Sequence, residues 1–292
     1  MTGAGQGPVR GEGAMKKNKS GRLALLDSLR GLTLISMILY HACWDAVYLL
    51  GANWPWYNSR AAYIGQQSIC WTFILLSGFC IPFSSKLLRR GLEVFGAGAL
   101  VMAVTCLLLP EDRVIFGVLT LIGSCMLLMV PLRRVLDGDI GGKSVSSGYD
   151  VQKAPGAGRA AILFAFFAVL FILFKDVNYG EIGTGMLHRI IPAIPKLTIR
   201  IPEALYANLA TAYLGFPPAD FYSTDYFSLL PWSFLYLCGY ELHWILKAAG
   251  VLDAPIMKKE IKPLAFMGRN SLTIYLLHQP ILYLFVLLYS AL

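Results

Sequence analysis

The stretch Leu23–Tyr48, LALLDSLRGLTLISMILYHACWDAVY, constrains this chain more than any other part of it. It is apolar enough to cross a bilayer, yet it carries Asp27, Arg30, His41 and Asp45. At about 100° per residue, Asp27, Arg30, Leu34, Met37, His41, Asp45 and Tyr48 fall close to one stripe of a helix. A charged group inside a span costs about 3 kcal/mol on insertion scales, so such groups normally face a protein interior or a water-filled cavity. A single charge can snorkel to the interface. Four ionisable groups on one face predict a polar site inside the membrane.

The remainder of the chain agrees with a membrane setting. Of its 292 residues, 57% are hydrophobic and 14% charged, whereas soluble domains hold about 45–50% apolar and about 25% charged residues. The expected fold class is all-α, a polytopic bundle of membrane helices. The net charge of +8 then belongs to loops lying against anionic headgroups and does not point to nucleic acid. Cys43, Cys70, Cys80, Cys106, Cys125 and Cys238 all lie in apolar runs without metal-type spacing. They read as small buried apolar residues, and no metal is predicted.

Spans of about 20 apolar residues are needed to cross the hydrocarbon core. They are expected near 25–50, 61–83, 91–110, 114–132, 159–177, 226–247 and 264–290. Lys and Arg alternate between rich and poor connections along this series, with Lys16, Lys17, Lys19, Arg89, Arg90, Arg133, Arg134, Lys258 and Lys259 on one side. That asymmetry predicts a cytoplasmic N-terminus and an exoplasmic C-terminus. Residues 1–21 form a basic tail, and 22–292 the membrane domain. Within it, 137–158 (DGDIGGKSVSSGYDVQKAPGAG) is by composition a flexible cytoplasmic linker. The connection 178–225 is exoplasmic, rich in proline and apolar residues, and too long to be structureless. Its piece Glu203–Leu214 is a candidate interfacial helix.

Several residues carry candidate chemistry. Asp27 and Arg30 are i,i+3, and read either as a structural ion pair or as a guanidinium offered to a phosphate. His41 lies roughly 16 Å further along a helix. Asp45 follows one turn on, where a carboxylate can fix the imidazole tautomer. A base oriented by an acid is what activates a hydroxyl or amine. His278 stands mid-run in NSLTIYLLHQP beside Ser271, Tyr275 and Gln279, with Pro280 freeing a carbonyl one turn earlier. Arg89, Arg90 and Arg269 read as basic anchors or as phosphate ligands. Glu241 and His243 do not share a helix face and read as interfacial.

These residues together resemble a known family. Arg22-x4-Asp27-x2-Arg30-Gly31 with Met37 and His41 resembles the first span of the heparan-alpha-glucosaminide N-acetyltransferase catalytic-domain family. Leu76-Ser77-Gly78, Arg90-Gly91-Leu92 and Ile115-Phe116-Gly117-Val118-Leu119 continue the likeness. So do Asp225–Trp232, Pro263–Ser271 and Tyr275-Leu276-Leu277-His278-Gln279-Pro280. The resemblance implies a multi-pass acyltransferase of the bacterial cytoplasmic membrane. It would move an acyl group, acetyl in the family, from cytosolic acyl-CoA to an exoplasmic acceptor such as a cell-envelope glycan. In that reading His41 is the general base with Asp45 behind it. Arg30, Arg89, Arg90 and Arg269 hold the donor's phosphates, while His278, Asp225 and Tyr275 line the acceptor side. Two departures stand out. The heparan enzymes place a histidine before Trp-Asn-Gly near span two, where this chain reads Ala52-Asn53-Trp54-Pro55. Thr120 occupies a position where many small bacterial members have histidine.

A rival from another class is a transporter or flippase using His41, Asp45 and His278 as a proton relay. Transporters often show internal repeats and paired broken helices, and neither is visible in this sequence.

Overall fold

A computed structural model of the protein describes residues 23–136 and 155–291. The basic tail 1–21 and most of the expected linker 137–158 lie outside the described residues. The described chain is mostly helical, in keeping with the apolar runs. It begins with α1 (Ala24–Tyr48), α2 (Arg60–Phe79), α3 (Leu87–Leu108), α4 (Val118–Leu136) and α5 (Ala157–Leu173). The long connection that follows contains β1 (Glu181–Gly183), α6 (Gly185–Ile190), β2 (Thr198–Arg200) and α7 (Leu209–Leu214). The chain closes with α8 (Leu229–Ala248), α9 (Lys262–Arg269) and α10 (Ser271–Ser290). Among the described residues, four helices are long and apolar enough to cross a membrane by length and composition: α3, α4, α5 with its extension to Tyr179, and α10. The helices α1, α2 and α8 are of similar length but carry more polar faces.

The main core lies between α2, α4, α5 and α8. Ile74, Leu121, Met129, Phe171, Tyr236 and Tyr240 are among its buried side chains. The pair α2 and α8 touches backbone to backbone: a Cβ on Gly239 would lie 2.0 Å from the Leu75 carbonyl oxygen. Small residues at such crossings are what lets membrane helices approach, since lipid supplies no hydrophobic drive between them. A second close crossing joins α1 to α9, where a Cβ on Gly31 would lie 1.9 Å from the Leu264 carbonyl oxygen. The Ile261 amide donates to Ser28 Oγ at 3.2 Å, fixing the start of α9 against α1.

Three expected boundaries are corrected. The last apolar run is not one helix from 264 to 290; it breaks at Asn270 into α9 and α10. Asn270 departs from helical geometry with ψ 22, and its own side-chain amide donates back to the Phe266 carbonyl. The fourth helix starts at Val118 instead of 114, because Phe116 takes a left-handed conformation (φ 56) and turns the chain. The start of α4 therefore lies beside Gly98, halfway along α3. The expected interfacial helix Glu203–Leu214 is split into a short turn of helix at Glu203–Leu205 and α7. Asn208 caps α7, its Oδ1 accepting from the Ala210 and Thr211 amides at 2.9 and 3.1 Å. Asparagine in this role ends one segment and begins the next.

The connection 178–225 is structured, as its length requires. β1 and β2 pair antiparallel, Glu181 opposite Arg200 and Gly183 opposite Thr198. Lys196 pairs with Glu181 at 2.9 Å, and Asn178 donates to Ser228 Oγ at 3.0 Å, tying the connection to the start of α8. Arg189 pairs with Asp176, and that carboxylate pushes the already high guanidinium pKa further up.

Candidate active site

The polar stripe of α1 meets α10. The His41 and His278 rings lie 5.1 Å apart between centroids, tilted by 55°. Nδ1 of His278 lies in hydrogen-bond contact with the Tyr275 carbonyl oxygen. A carbonyl can only accept, so Nδ1 carries the proton and the lone pair sits on Nε2. That Nε2 is buried and has no partner among the described residues. His41 is partly covered and meets Tyr40 edge to face at 6.2 Å.

Asp45 does not orient His41 as the i,i+4 spacing predicts. Its Oδ1 accepts instead from Gln279 Nε2 at 3.0 Å, across the α1–α10 contact. Asp45 is buried at 2% exposure, and its Oδ2 is unpartnered, as is Gln279 Oε1. A short carboxylate cannot serve its own helix and a facing one equally, and the amide on α10 wins. Buried polar atoms without partners are costly. Three of them on adjacent residues mark a place where something polar belongs.

Tyr275 extends the site. Its ring lies 5.2 Å from that of His278, and its hydroxyl lies near the Asp225 carboxylate. Asp225 also accepts from the Val118 amide at 3.5 Å, at the first turn of α4. Two segments deliver it there. The Thr224 amide donates to the Arg113 carbonyl at 3.1 Å and the Phe227 amide to the Phe116 carbonyl at 2.8 Å. Ser223 Oγ accepts from the Ile115 amide at 2.9 Å. A Cβ on Gly117 would lie 3.1 Å from the Asp225 carboxylate, so the glycine makes room for the acid.

The structure thus brings together His41, Asp45, His278, Tyr275 and Asp225. Arg30 donates to Cys80 Sγ at 3.0 Å and lies 3.7 Å from Asp27. Arg89 pairs with Glu93 at 2.8 Å on the exposed face of α3, and Arg269 with Glu260 at 2.6 Å. Arg90 is exposed. Glu241 and His243 are buried within the protein, at 1% and 2% exposure, and the His243 ring packs 4.7 Å from Phe83 and 5.1 Å from Phe79. Both fit inside because α8 is surrounded by other helices on nearly every side at that level. Gln279 and Gly117 are the site residues that sequence reasoning left without a role. Gln279 had one signal, its place beside His278; Gly117 had one, its place at the start of an apolar run.

Long apolar helices around buried His278 and Asp45 mark a helical protein of membrane type. Comparison with known families is more specific. The chain belongs to the family described as heparan-alpha-glucosaminide N-acetyltransferase, catalytic, whose profile matches residues 22–138 and 161–280. It is therefore a membrane protein of acetyltransferase-like type. No curated protein and no solved structure matches the chain.

Proposed function

We infer that this protein transfers an acetyl group from cytosolic acetyl-CoA to a hydroxyl or amine on the far side of a membrane, with a cell-envelope glycan as the acceptor. The observation that carries this reading is the facing pair His41 and His278, with the tautomer of His278 set by a backbone carbonyl. Nε2 of His278, beside His41, is placed to accept the acceptor's proton as its oxygen or nitrogen attacks the thioester carbonyl. The same proton is then available to the departing thiolate. Acetyl-CoA supplies the activated acyl group; the chain supplies the base and its alignment. Asp45 with Gln279 acts as a positioning pair that locks α10 against α1.

The topology that suits this reading has seven spans, with α1, α2 and α8 crossing beside the four more apolar helices. The N-terminus is then cytoplasmic in a bacterial plasma membrane. The polar faces of α1 and α8 are turned inward, which is how a membrane helix tolerates them. A reporter fused after Leu292 is expected to register the exoplasmic side, and one inserted at 145 the cytoplasm. Cytoplasmic activity of the C-terminal fusion would remove one span, and with it the exoplasmic acceptor.

Arg30 supports a donor site at the other end of α1, roughly 16 Å from His41. Its fork spans Asp27 and Cys80, which leaves donor protons for a phosphate. Arg30→Gln is expected to weaken acetyl-CoA binding about tenfold at low salt, with the difference shrinking as salt rises. Equal affinity at every salt concentration would make Arg30 a structural partner of Asp27 alone.

The experiment that tests the function is release of CoA from acetyl-CoA by purified protein, with and without a membrane extract as acceptor. Acceptor-dependent release supports the transferase. Proton uptake into liposomes without any CoA dependence would replace it with a transporter.

A further inference from the structure

Among the described residues, Lys175 is a cation to which the acetyl-transfer reading gives no task. Lys175 lies two residues beyond the end of α5, and its Nζ sits 4.4 Å from the centroid of the Trp232 ring. Trp232 is buried at 7% exposure and packs on Phe171 and Phe227. An ammonium stacked on a buried ring is directed into the bundle and away from surrounding lipid. Lys175 is only partly covered, so a ligand can reach it. Among the described residues no carboxylate lies within ion-pair range of Lys175: the adjacent Asp176 is committed to Arg189, and Asp225 accepts from the Val118 amide. Trp232 packs on Phe227, which stands two residues after Asp225. The ammonium therefore borders the segment that carries Asp225.

A cation in a low-dielectric interior is costly unless an opposite charge reaches it. The ring of Trp232 offers partial compensation through its quadrupole, but it leaves three N–H donors for an anion. We propose that Lys175 is an anion subsite that receives an ionised oxygen group, phosphate or carboxylate, carried by the acceptor. The acceptor's hydroxyl or amine then faces the two imidazoles. The word acceptor rests on the acetyl-transfer reading; the anion preference is a statement about binding and stands or falls without turnover. A neutral sugar lacks the partner that Lys175 demands, so the acceptor is of the sugar-phosphate or sugar-acid class.

The test measures binding of glucose 1-phosphate, glucuronate and glucose to the full chain in phosphatidylcholine nanodiscs at constant ionic strength. Wild type is expected to bind both charged probes about tenfold more tightly than glucose, as one charge-assisted contact warrants. Lys175→Gln should erase that preference, and Lys175→Arg should keep most of it. The melting temperature of Lys175→Gln should equal or exceed that of wild type, since the variant removes a cation that has no ion-pair partner. Equal affinity of wild type for charged and neutral probes overturns the proposal, as does a preference that survives Lys175→Gln. A lower melting temperature with the preference intact would make the Trp232 contact purely structural. Loss of the preference when phosphatidylglycerol is added to the nanodisc would assign the subsite to a lipid headgroup, which also overturns it. A protein that shows the charge preference but never transfers acetyl would condemn the transferase reading and leave the subsite intact.

Discussion

Alanine at His41 or at His278 should leave a protein that binds acetyl-CoA and no longer transfers its acetyl group. A positioned general base contributes roughly 10²–10⁴-fold to rate, and a loss in that range is expected for each variant. The two rings lie 5.1 Å apart, so removing either leaves the other without its packing partner. Donor affinity should change little, because the Arg30 end of α1 lies roughly 16 Å from His41. Asp45→Asn and Gln279→Ala should act more mildly and alike. Both disturb one hydrogen bond, from Gln279 Nε2 to Asp45 Oδ1, and neither removes an imidazole. The measurement is single-turnover acetyl transfer at saturating acetyl-CoA, with acetyl-CoA binding measured in parallel. Wild-type turnover in His41→Ala would leave His278 as the sole base. Wild-type turnover in both alanine variants would sink the imidazole mechanism altogether.

Gly31→Val should prevent accumulation of monodisperse protein. Adding methylenes to a packed core typically costs about 1–3 kcal/mol when side chains can shift. At Gly31 the first obstacle is backbone: the new Cβ would lie 1.9 Å from the Leu264 carbonyl oxygen. No rotamer change relieves that contact, so α9 must leave α1. The facing position is equally tight, since a Cβ on Gly268 would lie 1.9 Å from the Asp27 carbonyl oxygen. Because α10 follows α9 after a single residue, moving α9 also withdraws His278 from His41. Gly65→Ala serves as the control, as nothing lies within 4 Å of a Cβ there. It should be neutral or slightly stabilising through helix propensity. Comparable thermal stability for Gly31→Val and Gly65→Ala, read by size-exclusion chromatography and thermal unfolding in detergent, would contradict the α1–α9 contact.

The same two regions show how much of the protein could be read before its fold. The polar stripe of α1, the apolar helices and the family pattern around His278 are local properties. They depend on the length of an apolar run and on the helical repeat, which neighbours in the chain set by themselves. That much the sequence determined: an α-helical membrane protein of this family, with His41 and Asp45 on an inward face and His278 on a late helix. Only the tertiary structure decided which polar group meets which. The spacing allows Asp45 to reach His41, but a hydrogen bond goes to the better-placed partner, and Gln279, 234 residues away, takes it. The pairing of Arg30 with Cys80 across 50 residues is of the same kind. So is the path of Asp225, which enters the site only because Phe116 turns the chain and Gly117 leaves space beside it. Hydrophobic periodicity is degenerate about partners: many facing helices would bury the same stripe equally well. Backbone contact at Gly31 and Gly239, together with the directional hydrogen bonds of a few buried polar atoms, selects one arrangement among them. That arrangement is what places Lys175 over Trp232 and His278 against His41.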